Sequence, residues 1–306
     1  MIDYSTFLGP LGTDLEIDLE RDRIAEFAAA TLDAHPEHRD PARARALGLP
    51  DVIAPPTLAF VLTLGTSRPL PFPLDGFLHV DQSLSFTRPL TAGERYQSRL
   101  SLTRARHRGG NGKGPDTWIL SVEGELRDSS GQAISRSESR LLYRSTPGPE
   151  NDGGEPSTPP LAESLRPAGD PDLGPVVRSL TLTREDVRTY ARVSGDPNPI
   201  HWDDEIARRY GLSGVIAHGM LTMALLAQAA EDEARTKGRF VVALGCRFLL
   251  PVSPGEPVAV HLVKGSGTEE LELTLTAGAS PEIRVRGETT LREWPTLGPR
   301  SAEGRP

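Results

Sequence analysis

A single cysteine, Cys246, leaves no partner for an internal disulfide and excludes any multi-cysteine metal cluster. Basic residues are outnumbered, with 34 Lys and Arg against 42 Asp and Glu, a net charge of -8. That balance argues against a general nucleic-acid binder, which needs a basic surface. No run approaches eighteen apolar residues, so no ordinary transmembrane helix is expected. The stretch Met1-Ile2-Asp3-Tyr4-Ser5 has no basic region followed by an apolar one, as a secretory signal would. The expectation is a soluble, cytoplasmic protein that binds neither nucleic acid nor membrane. At 306 residues and 37% hydrophobic, the chain can bury a sizeable core in one large domain or two ordinary ones.

Proline and glycine, by contrast, are plentiful, at 28 and 30. Many fall between Ser145 and Pro175, a stretch nearly without aromatic or β-branched residues. Such composition buries too little apolar surface to offset its ordering entropy, so residues 146–176 are expected to form a linker. Residues 295–306 read as a loose tail. The flanks share a pattern. Phe86, Pro89, Gly93 and Glu94 recur as Phe248, Pro251, Gly255 and Glu256, each 162 residues on. A duplicated fold follows, with repeats over residues 1–145 and 177–294.

Each repeat reads in the same order. A short amphipathic helix over 21–32 or 184–193 precedes a Gly-containing loop and an apolar helix beginning near Pro56 or Gly219. Strands follow at about 79–86, 95–104, 117–127 and 133–143, and again at 240–250, 257–264, 269–277 and 283–292. Leu271-Glu272-Leu273-Thr274-Leu275-Thr276 alternates with the period of a half-buried strand. A helix followed by antiparallel strands in each half predicts an α+β class, with a sheet wrapped around a helix.

The chemistry is concentrated in Ser194-Gly195-Asp196-Pro197-Asn198-Pro199-Ile200-His201. Gly195 can take the left-handed conformation that closes a helix. Each proline fixes its own φ and pushes its predecessor out of the α region, giving a stiff loop that presents Asp196 and His201. A carboxylate beside an imidazole suits acid–base work near neutral pH. Downstream, His218-Gly219-Met220 opens the apolar helix, where a free N–H at the positive end of the dipole suits a carbonyl oxygen gaining charge. Together these groups suit proton chemistry alpha to a thioester carbonyl.

Ser-Gly-Asp-x-Asn-Pro-x-His followed by His-Gly-Met resembles the MaoC-like family of (R)-specific enoyl-CoA hydratases and 3-hydroxyacyl thioester dehydratases. The resemblance covers residues 177–293, while the first half is similar to the degenerate repeat of double hot-dog members. It implies a double hot-dog fold in which each antiparallel sheet wraps a long helix. It also implies catalytic roles for Asp196 and His201, which would hold a water between them, and a thioester-oxygen donor at the Gly219 N–H. Asn198 would support the loop or hydrogen-bond near the catalytic pair. Relatives often carry serine where Ala227 stands, which removes one supporting hydrogen bond. The expected substrate is an acyl-CoA or acyl carrier protein thioester, with no metal and no redox cofactor. A homodimer is possible under this reading, and an acyl thioesterase or a non-catalytic acyl-binding subunit are its rivals.

Other candidates have blander readings. Asp33 and His38 repeat the spacing of Asp196 and His201 but lack the preceding Gly and the Asn-Pro pair. Their equal spacing reads as coincidence in a decayed repeat that shapes the acyl tunnel, with Pro55-Pro56 in place of the helix-start glycine. His218 is expected to pack or orient. Arg104, Arg106, Arg108 and Lys113 are candidate phosphate contacts but read more simply as a solvated hairpin loop. Cys246 reads as a buried, inert thiol.

Overall fold

Alternating apolar and polar residues generate long strands here, and all of them join one antiparallel sheet. The computed structural model describes residues 2–65, 70–73, 75–109, 116–144, 173–196, 198–265, 267, 269–279 and 282–294. Residues 145–172, the bulk of the expected linker, and the expected tail from 295 onward lie outside the described residues.

The first repeat contains β1 (Gly9–Pro10), β2 (Leu15–Asp18), α1 (Arg21–Ala30), α2 (Pro41–Ala46) and α3 (Leu58–Leu64). Its long strands are β3 (Phe77–Phe86), β4 (Arg95–Arg108), β5 (Thr117–Asp128) and β6 (Ala133–Arg144). The second contains β7 (Val176–Thr181), α4 (Arg184–Ser194), α5 (Asp204–Arg209) and α6 (Gly219–Thr236). Strands β8 (Arg239–Phe248), β9 (Pro257–Lys264), β10 (Glu270–Ala277) and β11 (Glu282–Glu293) complete it. The strand order is β1-β4-β5-β6-β3-β8-β11-β10-β9-β7, with β2 also on β4.

The two repeats meet where β3 pairs with β8. Ser83 lies opposite Gly245, its own equivalent at the 162-residue offset, so a pseudo-twofold axis passes between them. The turn glycines obey the same symmetry. Gly93 and Gly255 both have positive φ, and their N–H groups donate to Leu19 and Leu182 carbonyls, both at 2.8 Å.

Helix α6 is apolar nearly all round because it is covered on both sides. Its own sheet packs on one side. From the other, Gln228 Nε2 donates to the Thr31 carbonyl of the first repeat at 2.8 Å. Leu221, Leu225 and Leu226 are fully buried, and each such side chain contributes about 1.5–3 kcal/mol of transfer free energy. The first repeat has no such long helix among its described residues. α3 is seven residues long and closes at Gly65, whose backbone is extended. Prolines 69, 71 and 73 follow in sequence, each lacking the N–H a helix requires. The expected match of two long helices is therefore uneven.

Candidate active site

The loop carrying Asp196 is held at both ends. At its start, α4 opens with a capping box in which Thr183 and Asp186 satisfy each other's backbone N–H. It closes at Gly195 with φ 64°, the left-handed cap expected from the sequence. The Asn198 N–H then donates to Asp196 Oδ1 at 3.0 Å, while the Asp196 side chain stays 38% exposed. Pro197 lies outside the described residues. Asn198 itself is extended (φ -63°, ψ 115°), as a residue before proline should be.

Asn198 ties the loop to the other repeat. Its Oδ1 accepts from the N–H groups of Gly76 at 3.3 Å and Ile200 at 3.4 Å, and its Nδ2 donates to the Phe77 carbonyl at 3.0 Å. Removing a buried amide with these bonds should strand partners on both sides. Asn198→Ala is expected to cost about 3 kcal/mol of unfolding free energy in urea titration. An Ala variant within 0.5 kcal/mol of the parent (roughly the scatter of a neutral surface change) would contradict this anchoring role.

His201 is buried, and its Nδ1 lies 2.9 Å from the Ile216 carbonyl oxygen. A carbonyl only accepts, so Nδ1 carries the proton and the neutral ring keeps its lone pair on Nε2. That Nε2 stands 4.0 Å from Asp196 Oδ2. Burial holds the His201 pKa below its ordinary value, only partly offset by the Asp196 charge. His201 is thus a neutral base at neutral pH.

His218 stacks on His201 with ring centroids 3.7 Å apart and planes at 24°. Burial, then the neighbouring His201 charge, holds its pKa well below the ordinary value. Two stacked imidazoles cannot easily both be charged, so His218 reinforces the neutral state of His201. Tyr190 closes the back of the site, 4.9 Å from His218, with a buried hydroxyl that has no hydrogen-bond partner among the described residues. Sequence reasoning missed Tyr190. Its position one helical turn before Ser194, on the face of α4 nearest the motif, was the available signal.

Gly219 is the first residue of α6, and its N-cap His218 makes no side-chain capping bond. A Cβ at Gly219 would meet the Phe248 ring at 3.2 Å, so the glycine lets the backbone approach that ring. Ala227 is buried on the same helix, as an apolar residue should be.

The remaining candidates lie elsewhere. Arg104, Arg106 and Arg108 are exposed on β4, which the strand order separates from β8 by β5, β6 and β3. Lys113 lies outside the described residues. Cys246 is buried, and burial raises its thiol pKa well above the ordinary value, in keeping with an inert thiol.

Asp33 and His38 correct the sequence reading. Their equal spacing is no coincidence, because the first repeat builds the same local scaffold. Pro36–His38 forms a 3-10 turn as Pro199–His201 does, and His38 Nδ1 lies 2.8 Å from the Ile53 carbonyl. Leu32 stands where Gly195 stands and takes the left-handed conformation (φ 58°) despite its side chain. A groove partly open to solvent runs past this first-repeat scaffold between Pro55, Pro56, Phe86 and Glu231. Neither Asp196 nor His201 lines it.

Comparison with known proteins fits this geometry. The family model described as MaoC like domain matches residues 171–279. The one described as FAS1-like, dehydratase domain region, matches residues 9–136. The chain belongs to the MaoC-like dehydratase family. Among MaoC-like relatives, 3-hydroxyacyl-thioester dehydratase X of Mycobacterium tuberculosis is 28% identical over 235 residues, 76% of each chain. A UPF0336 protein of Streptomyces coelicolor is 34% identical over 133 residues, 42% of this chain and 85% of that one. A Mycobacterium tuberculosis protein described as a double hotdog superposes with a TM-score of 0.63 at 14% identity, over 92% of this chain and 96% of its own. The fold of this MaoC-like chain is accordingly a double hot-dog. No helix among its described residues is long and apolar enough to cross a membrane.

Proposed function

We propose that the chain catalyses reversible hydration of trans-2-enoyl thioesters to (R)-3-hydroxyacyl thioesters, with Asp196 and His201 activating the water. The observation that carries this reading is the pairing of Asp196 Oδ2 and His201 Nε2 at 4.0 Å, with the far nitrogen of the imidazole committed to Ile216. A water about 2.8 Å from both atoms would subtend an angle of roughly 90°, which a tetrahedral oxygen accommodates.

In hydration, an O–H bond of that water breaks, its oxygen bonds to C3, and the dyad returns a proton to C2. Negative charge passes to the thioester oxygen in between. The Gly219 N–H, at the positive end of an eighteen-residue helix, would donate to this oxygen. The second repeat supplies the acid–base groups, while the first anchors their loop through Gly76 and Phe77. Within this proposal the acyl carrier is coenzyme A or acyl carrier protein, and the (R) configuration follows from the family resemblance.

Gly219→Ala keeps the N–H but moves it out of line, and is expected to lower kcat/KM by up to about 10²-fold, the size of one oxyanion donor. Its new methyl must displace Phe248. Steady-state kinetics with crotonyl-CoA, following loss of the conjugated enoyl absorbance, checks both variant and parent. Loss of that absorbance with no release of free thiol supports hydration. Thiol release from a saturated acyl-CoA would favour a thioesterase, and no turnover of any chain length would leave an acyl-binding role.

A further inference from the structure

We propose that Asp33, His35, His38 and Glu231 form a divalent metal site, with Zn²⁺ the best-fitting ion, that joins the two repeats. The assignment is independent of the chemistry proposed for Asp196 and His201. One donor atom from each of the four residues can be chosen so that all lie within 4.8 Å of one another. His38 Nε2 stands 3.5 Å from both Asp33 Oδ2 and Glu231 Oε1. His35 Nδ1 stands 2.9 Å from Asp33 Oδ1 and 3.9 Å from Glu231 Oε2. Tetrahedral Zn²⁺ with bonds of about 2.0–2.1 Å needs donor separations of roughly 3.3 Å. The close contacts, at 2.9–3.9 Å, lie around that value through different oxygens of the two carboxylates, so small side-chain shifts would complete one set.

The donors are buried and turned toward one another. Among the described residues His35 Nδ1, His38 Nε2 and Glu231 Oε2 are shut from solvent with no well-aligned hydrogen bond, only the close carboxylate–imidazole contacts above, and the His38 side chain is 0% exposed. Buried polar atoms converging on one point in this way suit a common partner.

The surrounding residues orient the rings as metal sites do. His38 Nδ1 bonds the Ile53 carbonyl at 2.8 Å, which leaves the Nε2 lone pair facing the cluster. His35 Nε2 lies 2.9 Å from Asp232 Oδ1, so a carboxylate backs the imidazole and Nδ1 turns inward. Three carboxylates, Asp33, Glu231 and Asp232, stand 2.9–3.9 Å from the His35 ring nitrogens, and a divalent cation would offset their charge.

The loop is held in place at some cost. Leu32, next to Asp33, keeps its left-handed backbone, and its carbonyl accepts from Arg178 Nη2 of the second repeat at 2.9 Å. Glu231 comes from α6, so the ion would clamp helix and loop across the repeat boundary. Of the four ligands, Glu231 also lines the neighbouring groove.

The test uses the full chain, treated with EDTA and then desalted. Zn²⁺ is titrated calorimetrically, and bound metal is counted by elemental analysis. The expected result is one equivalent, tight enough to survive desalting, with a raised Tm. His35→Gln and Glu231→Gln should each weaken binding by at least about 10²-fold. Asp196, His201 and His218 also bring three donor atoms within 4.8 Å, so His201→Ala is the control and should retain the metal. No binding by the parent, or binding lost only in His201→Ala, would overturn the assignment. Should the Gln variants fail to fold, Co²⁺ in the parent decides. Intense visible absorption marks tetrahedral coordination, and weak absorption typical of six-coordinate cobalt overturns it.

Discussion

Asp196→Asn is expected to lower kcat for enoyl-thioester hydration by about 10³-fold, within the range that positioned acid–base groups contribute. An amide oxygen can still accept the 3.0 Å bond from the Asn198 N–H, so the loop should keep its shape. The charge that would share a proton with water is gone. Because Asp196 is 38% exposed, the fold should hardly notice. Tm close to the parent value, with KM little changed and kcat collapsed, is the expected signature. His201→Ala should lose at least as much activity but also stability. It leaves a hole beside the stacked His218 ring and strands the Ile216 carbonyl. Stopped-flow or steady-state kinetics beside thermal melts separates these effects. An Asp196→Asn enzyme keeping more than about a tenth of kcat would place the chemistry elsewhere.

The second large effect is on stability in acid. His79 lies between the Phe60 and Phe248 rings, at 5.5 and 5.1 Å, with its Nε2 shut from solvent and without a hydrogen-bond partner among the described residues. Burial lowers its pKa from 6.5 to about 4. Between those values the unfolded chain binds a proton that the native ring refuses, so stability falls as pH falls. The stability is fully present above the unfolded pKa, declines through this window, and is lost by the folded pKa. For His79 the loss amounts to about 3 kcal/mol. His218 and His201, also held low by burial, add to it in the same direction. Urea denaturation of the parent and His79→Leu at pH values from 7 to 4 checks this. The variant's stability should fall about 3 kcal/mol less across the window. Parallel pH profiles would show that His79 is protonated in the native protein.

Much of this architecture is legible in the sequence because its signals are local. Strands β5, β9 and β10 begin or end within a residue of the expected bounds, since alternation such as Leu271-Glu272-Leu273 reports burial directly. The repeat offset of Phe86 and Phe248 reappears in the structure, where β3 pairs with β8 and Ser83 lies opposite Gly245. The short strands β1 and β2 are not legible, because two and four residues give a period no length to show.

The dyad loop was readable for the same local reason, as its conformation is written in Gly195, Asn198 and Pro199. The cluster in the first repeat was not. Leu32 disguises a left-handed cap that glycine would have announced. Glu231 lies near the acidic end of an apolar helix, yet its side chain is only 12% exposed and faces a histidine nearly two hundred positions earlier. A contact between repeats leaves no periodicity in either one.

Isotope labelling tests the central claim most directly. Hydration of a trans-2-enoyl-CoA is run in ¹⁸O-labelled water and, separately, in D₂O, and the product is analysed by mass spectrometry and chiral chromatography. The account predicts an intact thioester with ¹⁸O at C3, deuterium at C2 and the (R) configuration at C3. Label in a released carboxylate would mean that water attacks C1, and an (S) product would mean that the Asp196–His201 pair does not deliver water to the proposed face.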